Sequence, residues 1–354
     1  MDNEKLRSTP YFTIMTAIIT KIYLIIFLPI LFIQCNNKAD ADKNNSNIGL
    51  PKYELDEDWP LLAEGFALSA VSAVDIDTSQ NIFLFQRTNR DWTQQFPDSL
   101  ISANTIFMLD NNTGTMLNSW GANMFIMPHG LAVDKDNNIW VTDVGLQQIF
   151  KFNHDGKLLM KLGVPKTSGN DSLHFNLPTD VAEAYDGSFY VSDGYGNSRV
   201  VKFSRKGKYL FEWGNKGDSS GEFNTPHSID LDSQGNVYVA DRENNRIQKF
   251  DADGVFIQEW KNNTATQLYA ISIDKSNNNL FAIDNLTVND TLIKGADIIQ
   301  FDSNLNVLTR FGRSDSPGVR VPRYHDIVVD NSGNIYVTET SGKRIRKFRK
   351  SSNK

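Results

Sequence analysis

The sequence predicts an all-β protein, a six-bladed β-propeller built from four-stranded antiparallel blades. Three observations carry this expectation. A pattern of strand, turn, strand, loop, strand, turn, strand recurs six times along the 354 residues. The recurring units are about 40–57 residues long, which is the period of a propeller blade. Within each unit apolar residues alternate with a period of two, and clusters of Asp, Asn and Gly separate the runs, as in short strands joined by tight turns.

The units follow one another from about residue 71. The first, a degenerate copy, opens with "VSAVDIDTSQNIFLFQR" (71–87). The second is "PHGLAVDKDNNIWVTDVGLQQIFKFNHDGKLLMKLG" (128–163), and the third is "PTDVAEAYDGSFYVSDGYGNSRVVKFSRKGKYLFEWG" (178–214). The fourth, "PHSIDLDSQGNVYVADRENNRIQKFDADGVFIQEW" (226–260), shows the alternation most cleanly. The fifth, again degenerate, opens with "YAISIDKSNNNLFAIDN" (269–285). The sixth, "YHDIVVDNSGNIYVTETSGKRIRKF" (324–348), holds only three strands. The stretch "YELDEDWPLLAEGF" (53–66) is expected to supply its outer strand and close the ring. A solenoid or β-sandwich would also repeat, but a closed ring hides its strand edges. "DKDNN", "DSQGN" and "DADG" resemble calcium loops, yet blade turns account for them.

The register of the repeats singles out three histidines. Aligning the units on the residue that ends the first strand superposes Asp77, Asp134, Ala184, Asp232, Asp274 and Asp330. Five positions earlier stand Ser72, His129, Thr179, His227, Tyr269 and His325. The imidazoles therefore occupy one register on units two, four and six, with two gaps of 98 residues each. Alternate blades of a six-fold ring lie about 120° apart, and first strands line the central channel. Three imidazoles converging at its mouth form the donor set of a catalytic zinc site that keeps one position open. The alternative is that each is a turn residue satisfied by backbone. The remaining two histidines, His154 and His174, fall in a turn and a loop off this register and read as surface residues.

Ten residues after each aligned position lies the loop between second and third strands, on the same face. It holds Arg87, Val144, Gly194, Arg242, Asp284 and Thr340, with Tyr195 following Gly194. An arginine fork matches a carboxylate. A tyrosine beside a cation and a guanidinium is expected to ionise below its usual pKa of about 10 and to act as a base. For Arg242, in "DREN", an ion pair within its own blade is the competing role.

Composition sets outer bounds. A net charge of −6, with 40% hydrophobic and 22% charged residues, gives no reason to expect nucleic acid as a partner. The single cysteine, Cys35, rules out an internal disulfide. Residues 1–34 read as a signal segment, because Lys5, Arg7 and Lys21 flank or interrupt an apolar stretch that ends in the run Ile22–Ile33 just before Cys35. That run is short for a membrane span and suits a signal-peptide core. Its ending resembles a bacterial lipoprotein signal, with Cys35 as the lipidated first residue, although Phe32 and Gln34 depart from the usual Leu and small residue. The alternative is an uncleaved anchor over Tyr11–Ile33. Residues 35–52 form a polar linker and 53–350 the propeller. Either reading places the folded domain outside the cytoplasm, tethered to a membrane; separately, a monomer is expected.

The phrases "FYVSDGYGNSRVVKF" and "VYVADRENNRIQKF" resemble the NHL repeat family. With "PHGLAVD" and "NIWVTDV" they are most similar to the peptidyl-α-hydroxyglycine α-amidating lyases, over about residues 60–350. The resemblance implies cleavage of a peptide ending in α-hydroxyglycine to a peptide amide and glyoxylate. It implies a zinc held by His129, His227 and His325, a catalytic Tyr195, and active-site Arg87 and Arg242. It also implies a structural calcium on the axis, held by Asp326 and the carbonyls of Val74 and Leu131. Animal members have disulfides beside the tyrosine and across the "ADREN" loop. Here those places hold Gly196, and Tyr238 with Lys249, so packing must hold the loops. Animal members also have Met-Pro where this chain has Arg323 and Tyr324. The hydroxylase that accompanies the lyase in bifunctional animal proteins has no counterpart in this sequence. A non-enzymatic propeller binding peptide or glycan at the channel mouth is the main competing function, and a metal-dependent hydrolase or lactonase is a second, although the inner register lacks a carboxylate- and Asn-rich calcium site.

Overall fold

A computed structural model describes residues 51–351 apart from 94, 264–265, 289–290 and 313–322. The signal segment and nearly all of the polar linker, Cys35 included, lie outside the described residues. Among those described, no helix is long and apolar enough to cross a membrane.

The described chain forms six four-stranded antiparallel sheets. Five are built from consecutive strands, and the sixth is closed by the first described strand. Lys52–Leu55 pairs with Arg344–Ser351 as the outer strand beside Ile335–Glu339 and Tyr324–Val329. This closing strand is shorter than expected: the chain leaves the sheet after Leu55, and Trp59 turns into the core between the sixth and first blades. Tyr53 stacks on Phe311 of the fifth blade, with ring centroids 4.4 Å apart, so the closing strand also contacts the neighbouring sheet.

Packing between blades explains the burial pattern. Second strands such as Ile82–Gln86, Ile139–Asp143, Phe189–Asp193 and Val237–Asp241 are buried at every residue, because both faces of each sheet meet another sheet. Outer strands alternate, as in Tyr209–Trp213, where one side faces solvent. The apolar residues fall into six clusters, each joining two adjacent blades. One, for example, sets Phe83 and Phe85 of the first blade against Phe150 and Phe152 of the second. The Asp that ends a first strand accepts the amide of the Asn four residues on, as Asp134 does from Asn138, Asp232 from Asn236 and Asp330 from Asn334. These are turn bonds, and no cation is needed to explain them. Asp134, Asp136 and Glu183 do cluster, but Lys151 Nζ lies 2.8 Å from both Asp134 and Glu183 and supplies the positive charge.

The candidate metal centre and its rim

The first strands bring His129, His227 and His325 together at one end of the central channel. Their ring centroids are 4.9, 5.0 and 5.1 Å apart, all three are buried, and their ligating nitrogens lie within 4.8 Å of one another. Each imidazole is oriented in the same way. His129 Nδ1 donates to the Thr179 carbonyl at 2.7 Å, His227 Nδ1 to Tyr269 at 2.6 Å, and His325 Nδ1 to Ser72 at 2.7 Å. The three acceptors are the residues that share the histidine register on blades three, five and one. Committing the Nδ1 proton to the next blade leaves each Nε2 with its lone pair turned inward.

The local backbone makes this possible. The pairing of first and second strands slips between Pro128 and Leu131, between Pro226 and Ser228, and between Tyr324 and Ile327, which are the steps that hold the three histidines. It slips likewise around Ser72 and Tyr269. Bulges of this kind re-aim side chains and free backbone groups from the ladder. Gly130 completes the arrangement, since a Cβ there would stand 2.4 Å from the Thr179 carbonyl that His129 uses.

The inward pole is poor in donors. The Tyr195 hydroxyl lies 3.0 Å from His129 Nε2 and 2.9 Å from His227 Nε2, yet it has one proton for the two lone pairs. Among the described residues, His325 Nε2 meets only Arg87 Nη2, at 3.5 Å. Burial foremost, with help from the nearby arginine charges, holds all three imidazoles well below their usual pKa and therefore neutral. Three neutral nitrogen donors facing one point with too few protons among them fit a tetrahedral divalent metal that keeps a fourth position open.

The rim residues assemble around this pole. Arg242 Nη1 donates to the Tyr195 hydroxyl at 3.2 Å, and its guanidinium lies over the Tyr195 ring at 5.1 Å. It also pairs with Glu243 at 2.8 Å, so the expected ion pair within its own loop coexists with the contact to the tyrosine. Arg87 is buried and donates Nε to the Pro128 carbonyl at 3.0 Å. The expected ionisation of the tyrosine rests on a cation and a guanidinium together, and the protein's own groups do not supply it. Burial raises Tyr195, and Arg242 and Arg87 offset only part of that rise. His154 and His174 sit elsewhere, the first against Asp77 and the second against Asp171.

Three more residues join the site without having been singled out as functional. Trp92 packs against Tyr195, with ring centroids 4.8 Å apart, and receives the Arg87 guanidinium over its face. Tyr269 lies between Arg242 and His227. Arg323 donates Nη2 to the Tyr269 hydroxyl at 2.6 Å. Tyr269 occupies the histidine register on the fifth blade, which is a readable signal. Trp92 sits in a first-blade insertion with no counterpart in the other repeats, and Arg323 precedes the last repeat.

Val74, Leu131 and Asp326 all line a cavity of about 630 Å³ that enters the channel from the opposite end. Asp326 accepts the Val74 amide at 2.9 Å, so its contact with Val74 runs through the N–H and not the carbonyl. Asp180 and Asp75 line the same cavity. Burial raises both carboxyls to about 7 and raises Asp326 well above the usual range, with Asp180 adding like-charge repulsion to Asp326. A cation among these groups would relieve that cost. At the positions where the family resemblance implies a crosslink in animal members, Lys249 Nζ lies over the Tyr238 ring at 4.9 Å from the paired strand. Gly196 is pressed so closely on Asn176 that a Cβ would fall 2.1 Å from it.

The NHL repeat family matches residues 125–152 and 223–250. Over 83% of its length the chain is 34% identical to peptidyl-glycine alpha-amidating monooxygenase B of Xenopus laevis and 35% identical to the peptidylglycine alpha-amidating monooxygenase of Rattus norvegicus. Over 88% of its length it is 32% identical to peptidyl-alpha-hydroxyglycine alpha-amidating lyase 1 of Drosophila melanogaster. It spans 35% and 32% of the two monooxygenases and 62% of the Drosophila lyase. Among solved structures, a streptogramin B lyase superposes with a TM-score of 0.56 at 14% identity, covering 84% of this chain and 98% of that one. A gluconolactonase from Xanthomonas campestris superposes with a TM-score of 0.55 at 12% identity, covering 80% of this chain and 87% of that one. These two likenesses are of fold.

Proposed function

Because this chain belongs to the NHL-repeat β-propellers and has relatives named as α-hydroxyglycine amidating lyases, we propose that it is a zinc-dependent lyase. It cleaves the N–C bond of α-hydroxyglycine amides to give an amide and glyoxylate. The observation that carries this reading is the Tyr195 hydroxyl, held between two inward-facing imidazole nitrogens and a guanidinium. A base, a carboxylate anchor and a metal donor set share one pole, which is what a carbinolamide, N–CH(OH)–COO⁻, requires.

His129, His227 and His325 would hold a zinc ion, which supplies Lewis acidity toward the substrate oxygen and positive charge beside the phenol. Tyr195, as phenolate, takes the proton of the carbinol hydroxyl. The freed oxygen pair forms the glyoxylate C=O, the C–N bond breaks, and the departing nitrogen recovers the proton from Tyr195. No electron leaves or enters. Arg242 stabilises the phenolate through the contact its Nη1 already makes, and Arg87 presents a buried guanidinium to the substrate carboxylate. Trp92 packs over Tyr195 and keeps water from that side. At the far end of the channel, Asp326 with the carbonyls of Val74 and Leu131 would hold a structural calcium.

The test is glyoxylate release from N-acyl-α-hydroxyglycines, before and after dialysis against a chelator and after zinc is restored. His129→Ala, His227→Ala and His325→Ala should each lose zinc and activity together, because three protein ligands leave none to spare. A zinc-loaded chain that releases no glyoxylate from any such substrate defeats the proposal.

A further inference from the structure

Three guanidinium groups surround the imidazole pole, and among the described residues only Arg242 has a carboxylate partner, Glu243. Arg87 spends its Nε on the Pro128 carbonyl. Arg323 uses one nitrogen on the Tyr269 hydroxyl and lies 5.6 Å from the centre of that ring. The same ring carries Arg242 at 5.0 Å and stands 5.3 Å from His227 and 6.0 Å from His325. Arg323 is therefore held one aromatic ring away from the proposed reaction centre. It is exposed, and its other N–H groups have no protein acceptor among the described residues. Burial pushes the Arg87 pKa down, and the like charge of Arg323 adds to that push, so the two cations feel one another across the mouth.

A substrate that brings only its α-carboxylate would neutralise one of these charges. With Arg87 serving that carboxylate and Arg242 held by Glu243 and Tyr195, Arg323 stays uncompensated at the outer rim of the pole. We propose that Arg323 binds a second anionic group on the acyl part, so that the chain prefers α-hydroxyglycine amides whose acyl moiety carries a carboxylate. This rests on the lyase reading and adds a substrate class to it. The guanidinium is suited to the task because its orientation is already fixed by Tyr269, which reduces the ordering cost of binding.

The experiment compares N-succinyl-α-hydroxyglycine with its terminal carboxamide, N-succinamoyl-α-hydroxyglycine, on the full zinc-loaded chain. A hydrogen-bonded charge pair predicts that kcat/KM favours the dianion by about ten- to a hundredfold. Arg323→Met should bring that ratio close to one, and Arg323→Lys should leave it in between. A ratio near one in the parent, or a ratio retained in Arg323→Met, overturns the proposal and leaves Arg323 as a clamp on Tyr269. Binding of N-succinylglycine and N-succinamoylglycine, which lack the hydroxyl and cannot be cleaved, is measured in parallel by calorimetry. If neither hydroxylated substrate yields glyoxylate, the lyase reading fails, and the binding ratio alone decides the anion site. Tighter binding of the dianion, lost in Arg323→Met, supports it; equal affinity, or no binding of either, overturns it.

Discussion

Replacing Tyr195 by Phe separates the proposed base from the proposed metal site, because only one oxygen is removed. The ring keeps its contacts with Trp92 and with the Arg242 guanidinium. Three polar contacts disappear: those to His129 Nε2 at 3.0 Å, to His227 Nε2 at 2.9 Å, and from Arg242 Nη1 at 3.2 Å. The contact from Arg242 is charge-assisted, but Arg242 keeps Glu243, so the loss of stability should be small, about 1–2 kcal/mol. Losing a general base costs about 10²–10⁴ in rate, which is roughly 3–5 kcal/mol on the barrier. The catalytic effect should therefore exceed the structural one. Zinc content should hold, because the hydroxyl competes for the same two lone pairs and its removal frees them. The assay is steady-state glyoxylate release with metal analysis and thermal melting on the same preparations. A kcat within about threefold of the parent would refute the base assignment. Loss of zinc along with activity would make Tyr195 a metal-holding residue instead.

Three further outcomes follow from the structure. A chain lacking residues 1–56 should expose the edge of the sixth blade along Arg344–Ser351 and self-associate on size-exclusion chromatography; a stable monomer of unchanged melting temperature contradicts the closing-strand role. Asp75 and Asp180 hold their protons to about pH 7 in the folded state, whereas unfolded carboxyls ionise near 4, so the folded chain binds more protons in between and these groups cost stability as pH rises through 7. Calcium takes the ionised form, so the rise in Tm it produces should grow from pH 5.5 to 8, and a pH-independent increment, or none, counts against the axial site. The proposed membrane tether predicts a lipid-modified Cys35 in mass spectra of the native protein; an unmodified Cys35 with Met1 retained favours an uncleaved anchor.

The fold and the histidine pole were legible because the repeats place equivalent residues in equivalent frames. Aligning the repeats on Asp134, Asp232 and Asp330 was enough to put His129, His227 and His325 on alternate blades. The closing strand was legible in kind and not in length, since "YELDEDW" carries no residue that marks a stop after Leu55. What escaped lies outside the repeat or depends on packing. Trp92 belongs to an insertion without a register, and Arg323 gains its role only because the ring of Tyr269 passes beside it. The bulges at the histidines break the two-residue period locally, and no turn residue announces them. The Tyr195 pKa depends on how much burial opposes the two arginines, a balance that spacing does not carry.

The alternation of the histidines has a physical consequence beyond three-fold placement. Each imidazole is steered by a backbone carbonyl on the following blade, so the orientation of the donor set does not depend on which side chain stands at Ser72, Thr179 or Tyr269. Those side chains are free for other work. Thr179 Oγ1 ties its blade to the Pro226 carbonyl directly before His227. Tyr269 supports Arg242 and Arg323 with its ring and hydroxyl. Blades two, four and six thus supply the candidate metal donors, while blades one, three and five supply the acceptors that orient them and part of the rim. An arrangement of this kind lets the rim residues change while the three imidazoles stay oriented. Arg323 stands where such a change leaves the carbonyls that orient the three imidazoles in place.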